Sequence, residues 1–349
     1  MFLKKIWFAS WWADELRQHE LYPRTIADEP VLFWREETGD LRAILDRCPH
    51  RYAPLSLGKK VVGGVQCGYH GIAFDGAGRC LANPHGPILS SLQVRAFPVV
   101  ERHKIAWIWM GDEDDADHTL IPDLSFADRA SEHAYSRGFL PTKAGHQLIS
   151  DNILDLTHAD FLHATTLGGG SVTRSRAQIK ERKDGTVFIE WLANNEIALP
   201  FFQAELPDPE MLTDMWTSVL WHPNGVMTLR FGATPAGRPR EEGIDTWSAH
   251  IVTPETERTT HYFYFNTREY RTDDADYNAQ FAAGLRHAFT TEDKPMIEAQ
   301  QRRIGDADLF DRKPVLLTTD AASTRARRVY GRLLDAERAS LTELAIEAA

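Results

Sequence analysis

The sequence predicts an α+β chain: a small all-β domain over residues 1–111, then a larger domain over 119–349 in which an antiparallel sheet is flanked by helices. Three observations predict it. Residues 1–111 break into short apolar runs separated by Gly, Pro and charged turns. The run "GDEDDADH" at 111–118 is acidic and poor in apolar residues, and reads as a solvated linker. Beyond it, a helical pattern, several strand patterns and two further helical patterns follow in blocks instead of alternating.

The strands of the first domain are read from "PVLFWREE", "LRAILDRC", "VQCGYH", "GIAFD" and "AWIWMGD". Residues 143–164, "KAGHQLISDNILDLTHADFLHA", place Leu148, Ile149, Ile153, Leu154, Phe161 and Leu162 at helical spacing. Gly168, Gly169 and Gly170 then end regular structure. They do not spell GxGxxG and no strand feeds them, so they read as a loop and not a phosphate cradle. Strand patterns follow in "TVFIEWLA", "VMTLRFGA" and the hairpin "TWSAHIVTPETERTTHYFYFNT", whose turn is expected at Pro254–Glu257. Helical patterns close the chain at 276–304 and from 320 onward, the last with Val329, Leu333 and Leu334 inside.

The totals narrow the function classes. With 349 residues, 43% hydrophobic and 26% charged, the chain has ample length for a core and no run near a membrane span. A net charge of -11 argues against nucleic acid, which needs a basic face. Three cysteines are too few for a disulfide framework and suggest a reducing cytoplasm.

Two of those cysteines each sit beside a histidine, as Cys48-x-His50 and Cys67-x-x-His70. Three readings compete: a structural Cys2His2 zinc site, unrelated core residues, or a [2Fe–2S] cluster held by two thiolates and two imidazoles. The arrangement favours the cluster. A zinc finger puts its cysteines on one turn and its histidines on another, whereas here each loop supplies one of each. Pro49, Pro54, Gly68 and Gly71 suit tight loops around such a cluster. Cys80 lies outside the pattern and reads as a small buried residue.

A second constellation lies on the 143–164 segment. Asp155 and His158 are three apart and share a helix face. His158 and His163 are five apart, about 140° on a straight helix, so both reach one ion only if the helix is broken or bulged between them. Two histidines with one carboxylate form the facial triad of non-haem Fe(II) oxygenases. Spacing does not choose that carboxylate between Glu292 and Asp293 in "TTEDKPMIEAQQRR", and Asp293 also reads as an N-cap ahead of Pro295.

The stretch "CPHRYAPLSLG…CGYHGIAFDGAGRC", with "DNILDLTH", "VTPETE" and "RRVYGRLLDAE", resembles the Rieske non-haem iron aromatic oxygenases, in the branch of the vanillate and dicamba O-demethylases. The resemblance implies an all-β Rieske domain at 1–111 and a catalytic non-haem iron domain at 119–349. It implies two cofactors, a Rieske [2Fe–2S] cluster on Cys48, His50, Cys67 and His70, and a mononuclear Fe(II) on His158, His163 and Asp293. It makes Asp155 a catalytic relay in a head-to-tail homotrimer, bonded to His158 and, across the interface, to His70 of the partner subunit. It places His250, within "SAHIVTPETE", and Asn152 at the substrate. With no nucleotide fingerprint and no further cysteine set, the chain is expected to take electrons from a separate NADH-dependent flavin and iron–sulfur reductase.

The implied activity is O-demethylation of a methoxylated aromatic acid with O2. Hydroxylation of the methoxy carbon gives a hemiacetal, which collapses to formaldehyde and a phenol. The alternatives are methyl or ring hydroxylation of another aromatic acid or aryl sulfonate, and, in a different class, electron transfer without oxygen chemistry. Arg230 reads as an exposed strand arginine or as a partner for an acid group.

Overall fold

The computed structural model describes residues 1–164 and 167–347, apart from the side chains at 200, 201 and 341–347. The chain forms two compact units: Met1–Ile121 with Thr253–Glu257, and Pro122–Val252 with Arg258–Ala349. No described helix is long and apolar enough to cross a membrane.

The first unit is all β with short 3-10 turns. Trp7–Trp12 pairs with Ile105–Trp109, which pairs with Val99–Arg102. Tyr22–Ile26, Glu29–Arg35 and Leu41–Leu45 form a second antiparallel sheet, and four three-residue strands between Lys59 and Ala82 a third. Trp7, Trp12, Trp34, Trp107 and Trp109 are fully buried. Each aromatic removes roughly 150–250 Å² from water, which lets so short a set of strands hold a core. The acidic run lies inside this unit, because the Trp7 and Trp109 indole N–H groups donate to the Asp117 and Asp112 carbonyls at 2.8 Å.

The second unit is built on a seven-stranded antiparallel sheet. Its order is Tyr135–Thr142, Thr259–Arg268, Ile244–Thr256, Val226–Pro235, Leu212–Trp221, Val187–Ile197, Gln178–Glu181. The last six run in reverse chain order, a meander of hairpins. The hairpin turn expected at Pro254–Glu257 falls later: the strand continues to Thr256 and the next begins at Thr259. Pro254 is tolerated inside the strand because only its carbonyl is used, accepting from the Ala27 N–H at 2.8 Å.

The helices depart from their patterns at informative places. The 143–164 segment is not one helix: His146–Leu154 stops at Asp155, a 3-10 turn spans Leu156–His158, and Ala159–Leu162 ends at His163. The closing helix, Ala321–Glu347, buries Ala322, Ala326, Val329 and Tyr330, while Leu333 is 39% exposed, contrary to its expected place inside. From that helix Arg327 reaches back to Asp151 at 2.6 Å and to Gln147 at 2.6 Å, fixing the helix His146–Leu154. The N–H groups of the glycine loop find an acceptor within the chain. The Gly169, Gly170 and Thr173 N–H groups are taken by the Asp160 carboxylate at 3.2, 2.6 and 2.8 Å.

Two partly buried histidines of this unit carry a pH dependence. Burial pushes His146 down to about 3 and His222 down to about 4. An unfolded histidine titrates near ~6.5, so below that pH the unfolded chain binds more protons than the folded one. Stability is therefore complete above pH ~6.5 and falls on acidification, by about 1.4 kcal/mol per pH unit for each histidine until its folded value is reached. Thermal melting is expected at progressively lower temperature from pH 7 to pH 5, with a shallower slope in His222→Gln. A flat wild-type profile would refute it.

Candidate active site

The first unit brings together Cys48, His50, Cys67 and His70 on two turns of the same construction. The Cys48 N–H donates to Ala53 O at 2.9 Å and Tyr52 N–H returns to Cys48 O at 2.8 Å; Cys67 N–H donates to Ile72 O at 2.8 Å and Gly71 N–H returns to Cys67 O at 3.0 Å. The fifth residue of each turn is left-handed, Tyr52 at φ 58° and Gly71 at φ 76°. Gly68 is needed for space, since a Cβ there would meet Leu57 O at 2.7 Å.

Both cysteines are 2% exposed, whereas His50 is exposed and His70 partly so, with their rings 4.4 Å apart. Burial, reinforced by the neighbouring Cys67, raises the Cys48 thiol. A thiol in the position of Cys48 ionises only against positive charge, which metal supplies. Paired buried sulfurs with surface imidazoles fit a mixed-ligand [2Fe–2S] cluster. Cys80, expected to be buried, is half-buried, with its Sγ 3.4 Å from Ala82 O.

The second unit brings His158, His163 and Asp293 together. One ligating atom from each lies within 4.8 Å of the others, so the three can hold one metal ion. The helix break expected between His158 and His163 falls earlier, at Asp155, from which a 3-10 turn through His158 and a single α turn, Ala159–Leu162, carry the chain to His163. The Asp155 carboxylate accepts from Thr157 N–H at 3.1 Å and from the Thr157 hydroxyl at 2.5 Å, opening the helix and starting the 3-10 turn. The bond to His158 comes from the Asp155 main-chain carbonyl, 2.5 Å from Nδ1, and not from the carboxylate. That bond leaves His158 Nε2 toward Asp293 Oδ1, at 3.4 Å.

Asp293 is not an N-cap. It ends a π-helical segment, Ala288–Asp293, running continuously between helices Ala275–His287 and Lys294–Ile304. Pro295 explains the widening: it has no N–H for an i−4 bond, and the preceding Lys294 N–H reaches back five residues to Phe289 O. The wide turn lets consecutive carboxylates flank one imidazole. Asp293 Oδ2 lies 3.2 Å from His163 Nε2, and Glu292 Oε2 lies 2.7 Å from His163 Nδ1. Glu292 thus fixes the ring from behind, a role that spacing alone had not separated from that of ligand.

Burial opposes the charge on Asp293, but bonds to His158 and His163 outweigh it and hold the carboxyl well below the usual carboxylate range. An anionic carboxylate beside two imidazoles is the donor set of a non-haem iron site. Asn152, expected at the substrate, donates to Asp293 Oδ1 at 3.1 Å and is not among the residues lining the cavity described next.

A cavity of about 110 Å³ opens onto all three metal-holding side chains. Its wall is mostly apolar, with Ile153, Leu156, Leu229, Phe231, Leu285 and Phe289 among the lining residues. His250 lines it, together with Ser248. His250 is 2% exposed, its Nδ1 is 2.6 Å from the Tyr262 hydroxyl, and burial lowers its pKa to about 4. Arg230 turns to the opposite face of its strand from Leu229 and Phe231. It pairs with Asp245 at 2.6 Å and lies over Trp247.

Comparison with known proteins agrees with both halves. Residues 6–97 match the Rieske [2Fe–2S] domain, and residues 142–336 the vanillate O-demethylase oxygenase C-terminal domain. The chloroacetanilide N-alkylformylase oxygenase component of Rhizorhabdus wittichii is 34% identical, over 97% of this chain and 97% of its own. The dicamba O-demethylase oxygenase component of Stenotrophomonas maltophilia is also 34% identical, over 97% of this chain and 99% of its own. The crystal structure of dicamba monooxygenase bound to 3,6-dichlorosalicylic acid superposes with a TM-score of 0.89 at 32% identity, covering 97% of this chain and 99% of that one. The chain therefore belongs to the Rieske non-haem iron oxygenases with a vanillate O-demethylase-type catalytic domain, as the oxygenase component of a monooxygenase that uses a [2Fe–2S] cluster and a mononuclear iron.

Proposed function

We propose that this oxygenase O-demethylates an aryl methyl ether, giving a phenol and formaldehyde. The reaction consumes one O2, two electrons and two protons and releases water. The observation that carries the reading is a mostly apolar cavity opening onto His158, His163 and Asp293. Its volume is of the same order as the roughly 150 Å³ apolar cavity known to take benzene, which suits a single ring. The relatives named for O-demethylation support the same chemistry.

In this reading Cys48, His50, Cys67 and His70 hold the cluster, and His158, His163 and Asp293 hold the iron. Once bound, the cluster would supply a stored electron and the iron would supply O2 activation beside the ether. Asn152 and Glu292 position the iron-holding side chains by hydrogen bonds to Asp293 and His163. His250 contacts the ring's polar substituent. The free carboxylate oxygen of Asp155 receives the imidazole N–H of His70 of the partner subunit in a head-to-tail homotrimer. A separate NADH-dependent flavin and iron–sulfur reductase supplies the electrons, a reading supported by relatives that are named as oxygenase components. The cytoplasm suits it, because Cys48 and Cys67 must stay reduced to bind the cluster.

The test uses the purified holoenzyme with a surrogate reductase and a panel of aryl methyl ethers. The expected result is three irons per subunit and formaldehyde matched to O2 consumed. Two irons and no oxygen uptake would leave an electron carrier instead.

A further inference from the structure

Strand Tyr135–Thr142 is an edge strand of the seven-stranded sheet, and Gly138 in it lies directly opposite Tyr264 of the neighbouring strand Thr259–Arg268. Glycine is a poor strand residue because it has no side chain to pack, and one inside a strand often marks a close approach by another group. Here that group is the Tyr264 ring. A Cβ added at Gly138 would lie 2.2 Å from Tyr264 Cζ, 2.3 Å from its hydroxyl oxygen and 2.5 Å from Cε1. The phenol end of the ring therefore rests on the bare backbone of the edge strand, to one side of its own strand.

The same residue belongs to the cavity wall. Tyr264 is buried and lines the cavity. By strand alternation it shares a face with Tyr262, the partner of His250, and its ring meets that of Phe289, another lining residue, edge-on at 4.8 Å. Its hydroxyl also bonds Arg286. In so close-packed a place the ring has to turn if its seat on Gly138 is filled. The sheet order says which way. Thr259–Arg268 runs between the edge strand and Ile244–Thr256, and the latter carries Ser248 and His250 at the cavity wall. A ring driven off the edge strand turns toward those two residues. A cavity of about 110 Å³ has no room for a substrate ring and an intruding phenol together.

We propose that Gly138 is a positioning residue for substrate size: by seating the Tyr264 ring on the edge strand, it sets the width of the cavity and so the bulk of the aromatic ligand that fits beside the metal-holding residues. The inference deepens the oxygenase reading above and rests on it for the class of ligand. Gly138 acts through Tyr264, so its influence ends when that ring is removed. A glycine needed only for the strand would act on stability, and on every ligand alike.

The test is isothermal titration of the anaerobic holoenzyme, where binding is read without turnover. The probes are anisole and methoxybenzoate, their dimethyl derivatives and the corresponding methoxynaphthalenes, a series of rising bulk. Gly138→Ala is expected to weaken the bulkiest members that the wild type binds at least tenfold, and the smallest less than threefold. Tyr264→Leu is expected to bind the bulky members more tightly than the wild type does, and adding Gly138→Ala to it to change no affinity by more than threefold. Iron content and the cluster spectrum verify that each variant is folded. Should Gly138→Ala alone not fold, the double variant is still expected to fold, since the obstructing ring is gone. Equal weakening of every member, an unaltered size preference in Gly138→Ala, the same size-dependent loss in the Tyr264→Leu background, an unfolded double variant, or a wild type that binds none of the series would each overturn the proposal. The expected size dependence without formaldehyde from any ether upholds it and removes the O-demethylase reading instead.

Discussion

Asp293→Ala is expected to lower iron from three to two per subunit and to bring oxygen consumption to background, with the cluster spectrum unchanged. The variant removes the anionic member of the triad and leaves two neutral imidazoles, too few donors to retain Fe(II). It also strips Asn152 Nδ2 of the acceptor it meets at 3.1 Å, a loss of about 1–3 kcal/mol in stability that leaves the unit folded. Glu292 does not take over, because it is already bonded to the other ring nitrogen of His163, at 2.7 Å. Glu292→Ala serves as the contrast, keeping iron but holding it more loosely. If Asp293→Ala retained full iron while Glu292→Ala lost it, the two carboxylates would have to exchange roles.

Asp155→Asn is expected to keep all three irons and slow turnover by about 10–100-fold, the usual scale for an outer partner of a metal-bound histidine. The substitution is informative because it spares the local fold. The asparagine carbonyl still accepts from Thr157 N–H and hydroxyl, as Asp155 Oδ1 does at 3.1 and 2.5 Å. The main-chain carbonyl still holds His158 Nδ1. Only the second oxygen changes, from an anionic acceptor to an N–H donor, which in the proposed homotrimer would face the imidazole N–H of His70 of the partner subunit. Single-turnover kinetics from the reduced cluster should carry the slowing. Unaltered rates would take Asp155 out of the electron route and leave it a turn-forming residue.

Much of the site was legible in the sequence for one reason: metal ligands are side chains of few types at short spacing. Cys48-x-His50, Cys67-x-x-His70 and the His158–His163 pair carried the chemistry in their letters, and the angle between His158 and His163 demanded an interrupted helix. What escaped was whatever depended on the local path of the chain. The break falls at Asp155 because that carboxylate captures Thr157, a competition between side chain and backbone that periodicity does not show. Glu292 and Asp293 were inseparable until the π-helical turn placed one on each side of His163. Asn152, read as a substrate contact, belongs to the ligand shell through Asp293.

The cavity's polar reach and its metal-holding triad sit on different scaffolding. Ser248, His250 and Asn266 come from strands of the large sheet, whereas His158 and His163 sit on the interrupted helical segment and Asp293 on the π-helical turn. Selection can therefore retune what the enzyme accepts by small steps along the strands while the oxygen-handling apparatus stays inherited whole. That separation gives the scaffold wide evolutionary latitude.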